Sequence, residues 1–181
     1  SKRNTTDQSK LHLFFTDQAP KRQLQEIMLG TNGVNNGRIE PPLQIKPNSI
    51  SKHTSKFTLN QDISILTINP HMHMLGKSFL AYAIKPNGDT IRLIRIPRWD
   101  FRWQYFYTFP KMVKIPKGST IIAEGVYDNT SQNPNNPFDP PQLVGERSDY
   151  GGSSMRATDE MFQFIITYTP YELGDENLEL V

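Results

Sequence analysis

Ser78-Phe79-Leu80-Ala81-Tyr82-Ala83-Ile84-Lys85-Pro86-Asn87-Gly88-Asp89-Thr90-Ile91-Arg92-Leu93-Ile94-Arg95-Ile96 is the stretch on which the reading of the fold turns. Two runs rich in Ile, Leu, Phe and Tyr flank Pro86-Asn87-Gly88-Asp89, and Asn-Gly suits the positive φ angles of a tight hairpin turn. Outward from it, Pro116-Lys117-Gly118-Ser119 repeats the same turn chemistry, with Pro presetting φ and Gly taking the strained position. Fourteen Pro and eleven Gly punctuate further short runs, and no window keeps an apolar stripe at helical spacing for three turns. Strands are expected at residues 11–16, 23–29, 54–59, 63–74, 78–85, 90–96, 103–109, 112–115, 120–127 and 161–169. The expected fold is all-β, an antiparallel β-sandwich of jelly-roll type.

The 181 residues suit one domain, read as residues 11–170, after a disordered segment at 1–10 and before a frayed acidic tail at 171–181. Residues 31–51, dense in Asn, Gly and Pro, read as a connecting loop or an irregular edge, and residues 129–159 as a longer loop of a length that is usually functional or mobile. Even the richest apolar run, residues 63–80, is broken by Ser64, Asn69, Pro70, His71, His73 and Lys77, so no helical membrane span is expected. A net charge of +2 with mixed signs gives no electrostatic footprint for nucleic acid. The absence of cysteine removes disulfides, thiolate-bound metals and thiol catalysis. The polar start at Ser1, with neither initiator Met nor apolar leader, reads as a piece of a longer precursor.

His71-Met72-His73 lies in a predicted strand, where residues i and i+2 share a face, so the two imidazoles project side by side and could hold one metal ion. The same spacing also fits two histidines that decorate a solvated face. A cupin-type site would add a Glu within a few residues, and Met74 to Phe79 offer no carboxylate. His12 and His53 stand alone. Residues 98–107 interleave aromatics with charges, a pattern that fits either a stacking surface or, preferably, sheet core with a polar opposite face.

Pro70-His71-Met72-His73-Met74-Leu75-Gly76-Lys77, followed far downstream by Thr158-Asp159-Glu160-Met161, resembles the C-terminal domain of the copper type II ascorbate-dependent monooxygenases. That group contains peptidylglycine α-hydroxylating monooxygenase and dopamine β-monooxygenase. Trp99-Asp100-Phe101-Arg102-Trp103-Gln104, Tyr127-Asp128-Asn129-Thr130 and Asn133-Pro134-Asn135-Asn136-Pro137 are similar to motifs of the bacterial members, and the likeness extends over residues 11–170. It implies the sandwich fold, one copper per chain held by His71, His73 and Met161, and activation of dioxygen there for hydroxylation of a substrate C–H bond. Two imidazoles and a thioether are a donor set suited to Cu(I).

The resemblance also implies a second copper, held by three histidines of a preceding domain. His12 and His53 are too few for it, so an electron-donating copper or cytochrome domain is expected upstream, and the chain alone is expected not to turn over. A non-catalytic copper- or ligand-binding module of a larger extracytoplasmic protein is the alternative. The setting implied is the periplasm or envelope of a bacterium. At the positions where the peptide-amidating members grip a substrate carboxylate with Arg, Asn and Tyr, this chain has Asn69, Gln163 and Ile165. A glycine-extended peptide is therefore disfavoured, the small-molecule or peptide substrate stays open, and those three residues are read as substrate-side lining. Residues 148–156 read as an insertion and a candidate lid at the copper site.

Overall fold

Alternation of buried and exposed residues runs through nearly every strand, because each strand lies in a sheet with one face on the core. The computed structural model describes residues 6–33, 37–146 and 156–180. Its strands are β1 (Gln25–Gly30), β2 (Gln44–Ile45), β3 (Ser49–Thr58), β4 (Ile63–Met72), β5 (Gly76–Ile84), β6 (Thr90–Ile96), β7 (Tyr107–Ile115), β8 (Thr120–Asn129), β9 (Val144–Gly145) and β10 (Phe162–Pro170). Two four-stranded sheets, ordered β1-β10-β4-β7 and β3-β8-β5-β6, and the small pair β2-β9 are antiparallel throughout. The fold is thus an antiparallel all-β sandwich, as the turn chemistry implies.

Large side chains on one sheet meet small ones on the other. Met72, Phe162 and Phe164 face the core from the first sheet, and Ala81, Ala83, Ala123 and Gly125 line it from the second. Phe79 fills the centre, with its ring centroid 5.7 Å from those of both Phe162 and Phe164. Gly125 suits this closeness, since a Cβ there would sit 3.0 Å from the Phe162 ring and 3.1 Å from the Met72 sulfur and would press both side chains back by a few tenths of an ångström.

The hairpin at residues 85–89 forms as the sequence indicates, with Gly88 alone taking positive φ (90°) and its N–H donating to Lys85 O at 2.9 Å. Asn87 stays out of the positive region, so Lys85-Pro86-Asn87-Gly88 is a turn closed by a left-handed glycine. Gly30, where β1 ends, has φ 88° and a Cβ position only 1.9 Å from Phe162 O. Gly30→Ala should cost about 1–3 kcal/mol for the backbone conformation alone, with the clash in addition. A thermal midpoint equal to that of the wild type would refute this.

Several expectations need correction. Residues 11–16 form no strand: Leu11 is 84%, Phe14 94% and Phe15 90% exposed, because no neighbouring strand pairs with them. The strands expected at 103–109 and 112–115 are one strand, β7, that begins at Tyr107. Within residues 98–107, Trp99 is buried but Trp103 and Phe106 are 63% and 61% exposed, so this stretch is mostly a connection rather than sheet core. The long connections hold β2 and β9. Residues 172–180 are not frayed, since a 3-10 turn at Asp175–Asn177 docks them and Lys111 bridges to Glu179. The candidate lid at 148–156 lies outside the described residues apart from Arg156. No helix of the described residues is long and apolar enough to cross a membrane.

Candidate metal centre

Four connections cross between the sheets at one end of the sandwich: the one from β1 to β3, His73 to Leu75 between β4 and β5, residues 97–106 between β6 and β7, and the end of the long segment between β8 and β10. His71 lies in the last turn of pleat of β4, and His73 is the first residue beyond it, at the corner. The imidazoles are neighbours, with ring centroids 5.0 Å apart and planes at 89°. They stand on the outer face of their sheet, because Met72 between them faces the core. His73 is buried and His71 half-buried under the crossing segments, so the reading of two histidines on a freely solvated face does not apply.

Register carries the neighbouring strand to the same place. Phe162 opposes Met72 and Gln163 opposes His71, so Met161 and His73 are the next residues on from that pairing. Met161 is buried, its carbonyl accepts the Tyr127 hydroxyl at 2.8 Å, and the following amide, that of Phe162, donates to Thr31 Oγ1 at 3.0 Å. Ile165 opposes Asn69, which puts Asn69, Gln163 and Ile165 on the outer face with His71. The amide nitrogens of two of them are engaged: Asn69 Nδ2 donates to Tyr105 O and Gln163 Nε2 to Thr31 O, both at 2.7 Å.

Both rings are held through Nδ1. His73 Nδ1 donates to the carbonyl of Asp159 at 2.7 Å, and His71 Nδ1 donates to Gln104 Oε1. A carbonyl only accepts, so each neutral ring keeps its proton on Nδ1 and presents a bare lone pair at Nε2. Burial pulls the His71 imidazole below its ordinary pKa and proximity to His73 adds to this, while the Gln104 contact opposes it. That keeps the ring neutral, as a metal ligand must be. The Phe101 ring stands edge-on to His73 at 5.5 Å.

Two further residues escape a reading of the sequence alone. Glu160 is buried, and its carboxylate accepts the backbone N–H of His73 at 2.9 Å and of Leu75 at 2.6 Å, pinning the β4–β5 corner to the segment that carries Met161. Burial pushes this carboxyl up, to about 8, against the downward pull of the Leu75, His73 and Met161 amides. Gln104 is the second, and the Trp-Gln motif that contains it is the one signal that points there. The lone histidines lie elsewhere: His53 is buried with its two ring nitrogens on Pro41 O and Ser51 Oγ, and His12 is in the exposed N-terminal segment. Among the described residues no three His, Cys, Asp or Glu side chains form a metal-binding group.

A search of curated proteins finds no match to the chain. The profile of one family does match, over residues 26–137, a stretch that covers β1 to β8 and includes both site histidines. With more than half of the chain matched and the sandwich it requires in place, the chain belongs to the family described as copper type II ascorbate-dependent monooxygenase, C-terminal domain.

Proposed function

We propose that this chain is the mononuclear copper domain of a copper-dependent monooxygenase and binds one copper through Nε2 of His71, Nε2 of His73 and the thioether of Met161. The observation that carries the reading is the pair of Nδ1 contacts, which turns Nε2 of two neighbouring imidazoles away from those partners. Met161 lies beyond the matched stretch, and its support is the register that brings it level with His73. The donor set fits the metal, since borderline imidazoles and one soft thioether favour Cu(I) and leave coordination space open. Copper bound there would supply redox chemistry toward dioxygen for hydroxylation of a C–H bond.

The chain's own contribution is to orient the two rings, to shield His73 with Phe101, and to line the adjoining face with Asn69, Gln163 and Ile165. Asn69 and Gln163 have their amide nitrogens committed to backbone carbonyls, so toward a substrate they would offer their carbonyl oxygens. Hydroxylation draws on more electrons than a single Cu(I) holds. His53 is occupied and His12 stands apart, so we assign the remaining electrons to a separate donor, a second copper or a cytochrome domain.

Cu(I) titration against a competing chelator tests the site. His71→Ala and Met161→Ala should bind copper more weakly than wild type, with His71→Ala losing more than the roughly 10–100-fold typical of a change behind the ligands. Unchanged affinity in His71→Ala would overturn the assignment. Oxygen uptake by the loaded chain with ascorbate separates the enzyme reading from a copper-holding module: hydroxylated product that appears only once an electron-donor domain is added supports the former.

A further inference from the structure

We infer that Gln104 is a positioning residue of the metal centre, fixing His71 as the Nδ1–H tautomer and so determining which of its nitrogens is available to a ligand. The consequence for copper rests on the proposed function, but the tautomer is a property of the metal-free chain. An amide side chain can in principle present either its oxygen or its nitrogen. Here the choice is settled by the second contact of the same group: Gln104 Nε2 donates to Phe101 O at 2.7 Å, and a flipped amide would set oxygen against oxygen. Oε1 is therefore the atom at His71 Nδ1, and it can only accept.

The segment that carries Gln104 is fastened on both sides. Trp99 N–H donates to Lys77 O at 2.9 Å and Trp103 N–H to Asp100 O at 2.9 Å, while Asn69 Nδ2 donates to Tyr105 O at 2.7 Å. The last bond starts from β4 two residues before His71, so the same strand anchors both the ring and the segment that orients it. The two histidines differ in this respect. His73 is oriented by a backbone carbonyl, which no side-chain replacement removes, whereas His71 depends on one side chain 33 residues away. Gln104 is thus the position at which a single substitution changes one ligand's tautomer without touching either ring.

Long-range proton–nitrogen correlation of the imidazoles in the metal-free protein, at a pH where His71 is neutral, reads this directly. Wild type should show His71 protonated at Nδ1, and Gln104→Leu should shift it toward the Nε2–H form that free imidazole prefers. Gln104→Glu gives up the bond to Phe101 O but keeps a carboxylate that accepts from Nδ1, and should retain the wild-type tautomer. Cu(I) affinity should follow, falling about 10–100-fold in Gln104→Leu and staying near wild type in Gln104→Glu. A wild-type His71 protonated at Nε2 overturns the inference whatever the variants do, and so does a Gln104→Leu protein with unchanged tautomer and affinity. If instead His71→Ala leaves copper binding intact while the tautomer shifts as stated, the copper assignment fails and the role of Gln104 stands.

Discussion

Glu160→Ala should lose about 2–6 kcal/mol of stability. The carboxylate is buried and accepts the N–H groups of His73 and Leu75 at 2.9 and 2.6 Å, and its truncation leaves two buried amides without a partner, at about 1–3 kcal/mol each. Above about pH 8, where the wild-type carboxyl is ionised, Glu160→Gln should fall between the two, because a carboxamide offers one accepting oxygen and turns an N–H donor toward the other amide. Urea unfolding of the three proteins gives the ordering, and a midpoint for Glu160→Ala equal to wild type would mean that water replaces the carboxylate without loss. Copper affinity should drop along with stability, because the corner that Glu160 pins is the one that holds His73.

At the opposite end of the sandwich, Asp175→Ala should cost about 1–3 kcal/mol for each buried donor it leaves without an acceptor, above all the Ser64 hydroxyl. Asp175 accepts from Arg22 Nη1 at 2.6 Å, Arg22 Nη2 at 3.1 Å, Ser64 Oγ at 2.6 Å and the Glu172 N–H at 3.0 Å, with its side chain only 4% exposed. The Arg22 guanidinium, helped by the Glu172 amide and the Ser64 hydroxyl, holds this carboxyl well below its ordinary value of 3.8, against the opposing effect of burial. A depressed pKa makes the contribution complete above the unfolded value and lost as pH falls below it toward the folded one. Wild-type stability should therefore decline in acid below about pH 4, and Asp175→Asn should be less stable at neutral pH with a flatter acid limb. Identical acid limbs in thermal unfolding would refute the assignment.

How much of this was legible in the sequence differs by residue. The β5–β6 hairpin was, because Pro86 and Gly88 carry the turn and the flanking runs carry the strands. The continuity of β7 was not, since Pro110 reads as a breaker. It is tolerated because β7 is an edge strand, where one N–H fewer costs no ladder bond inside the sheet. Leu11, Leu13, Phe14 and Phe15 read as a strand on composition, but strand formation needs a neighbour, which local sequence does not encode. At the site, the side-by-side histidines follow from strand periodicity alone, whereas Met161 came only from the family likeness. Glu160 stayed hidden because its partner His73 is 87 residues away and the link is a backbone amide, which leaves no trace in residue type.

The convergence of four sheet crossings at one end has a further consequence for how such a domain can change. The turns at residues 85–89 and 116–119 touch at the far end, where a Cβ on Gly118 would lie 3.2 Å from Pro86, and the Asp175 cluster joins β4 there at Ser64. Roughly 30 Å of β4 separates that end from the histidines. One pole thus holds two tight turns and the Arg22–Asp175 pair, and the other carries the chemistry on connecting segments. New specificity can arise at positions of the β6–β7 connection and of the approach to β10 other than Gln104, Glu160 and Met161, and a fluorophore or affinity handle belongs at Asn87, where it can report on the domain from outside its working end.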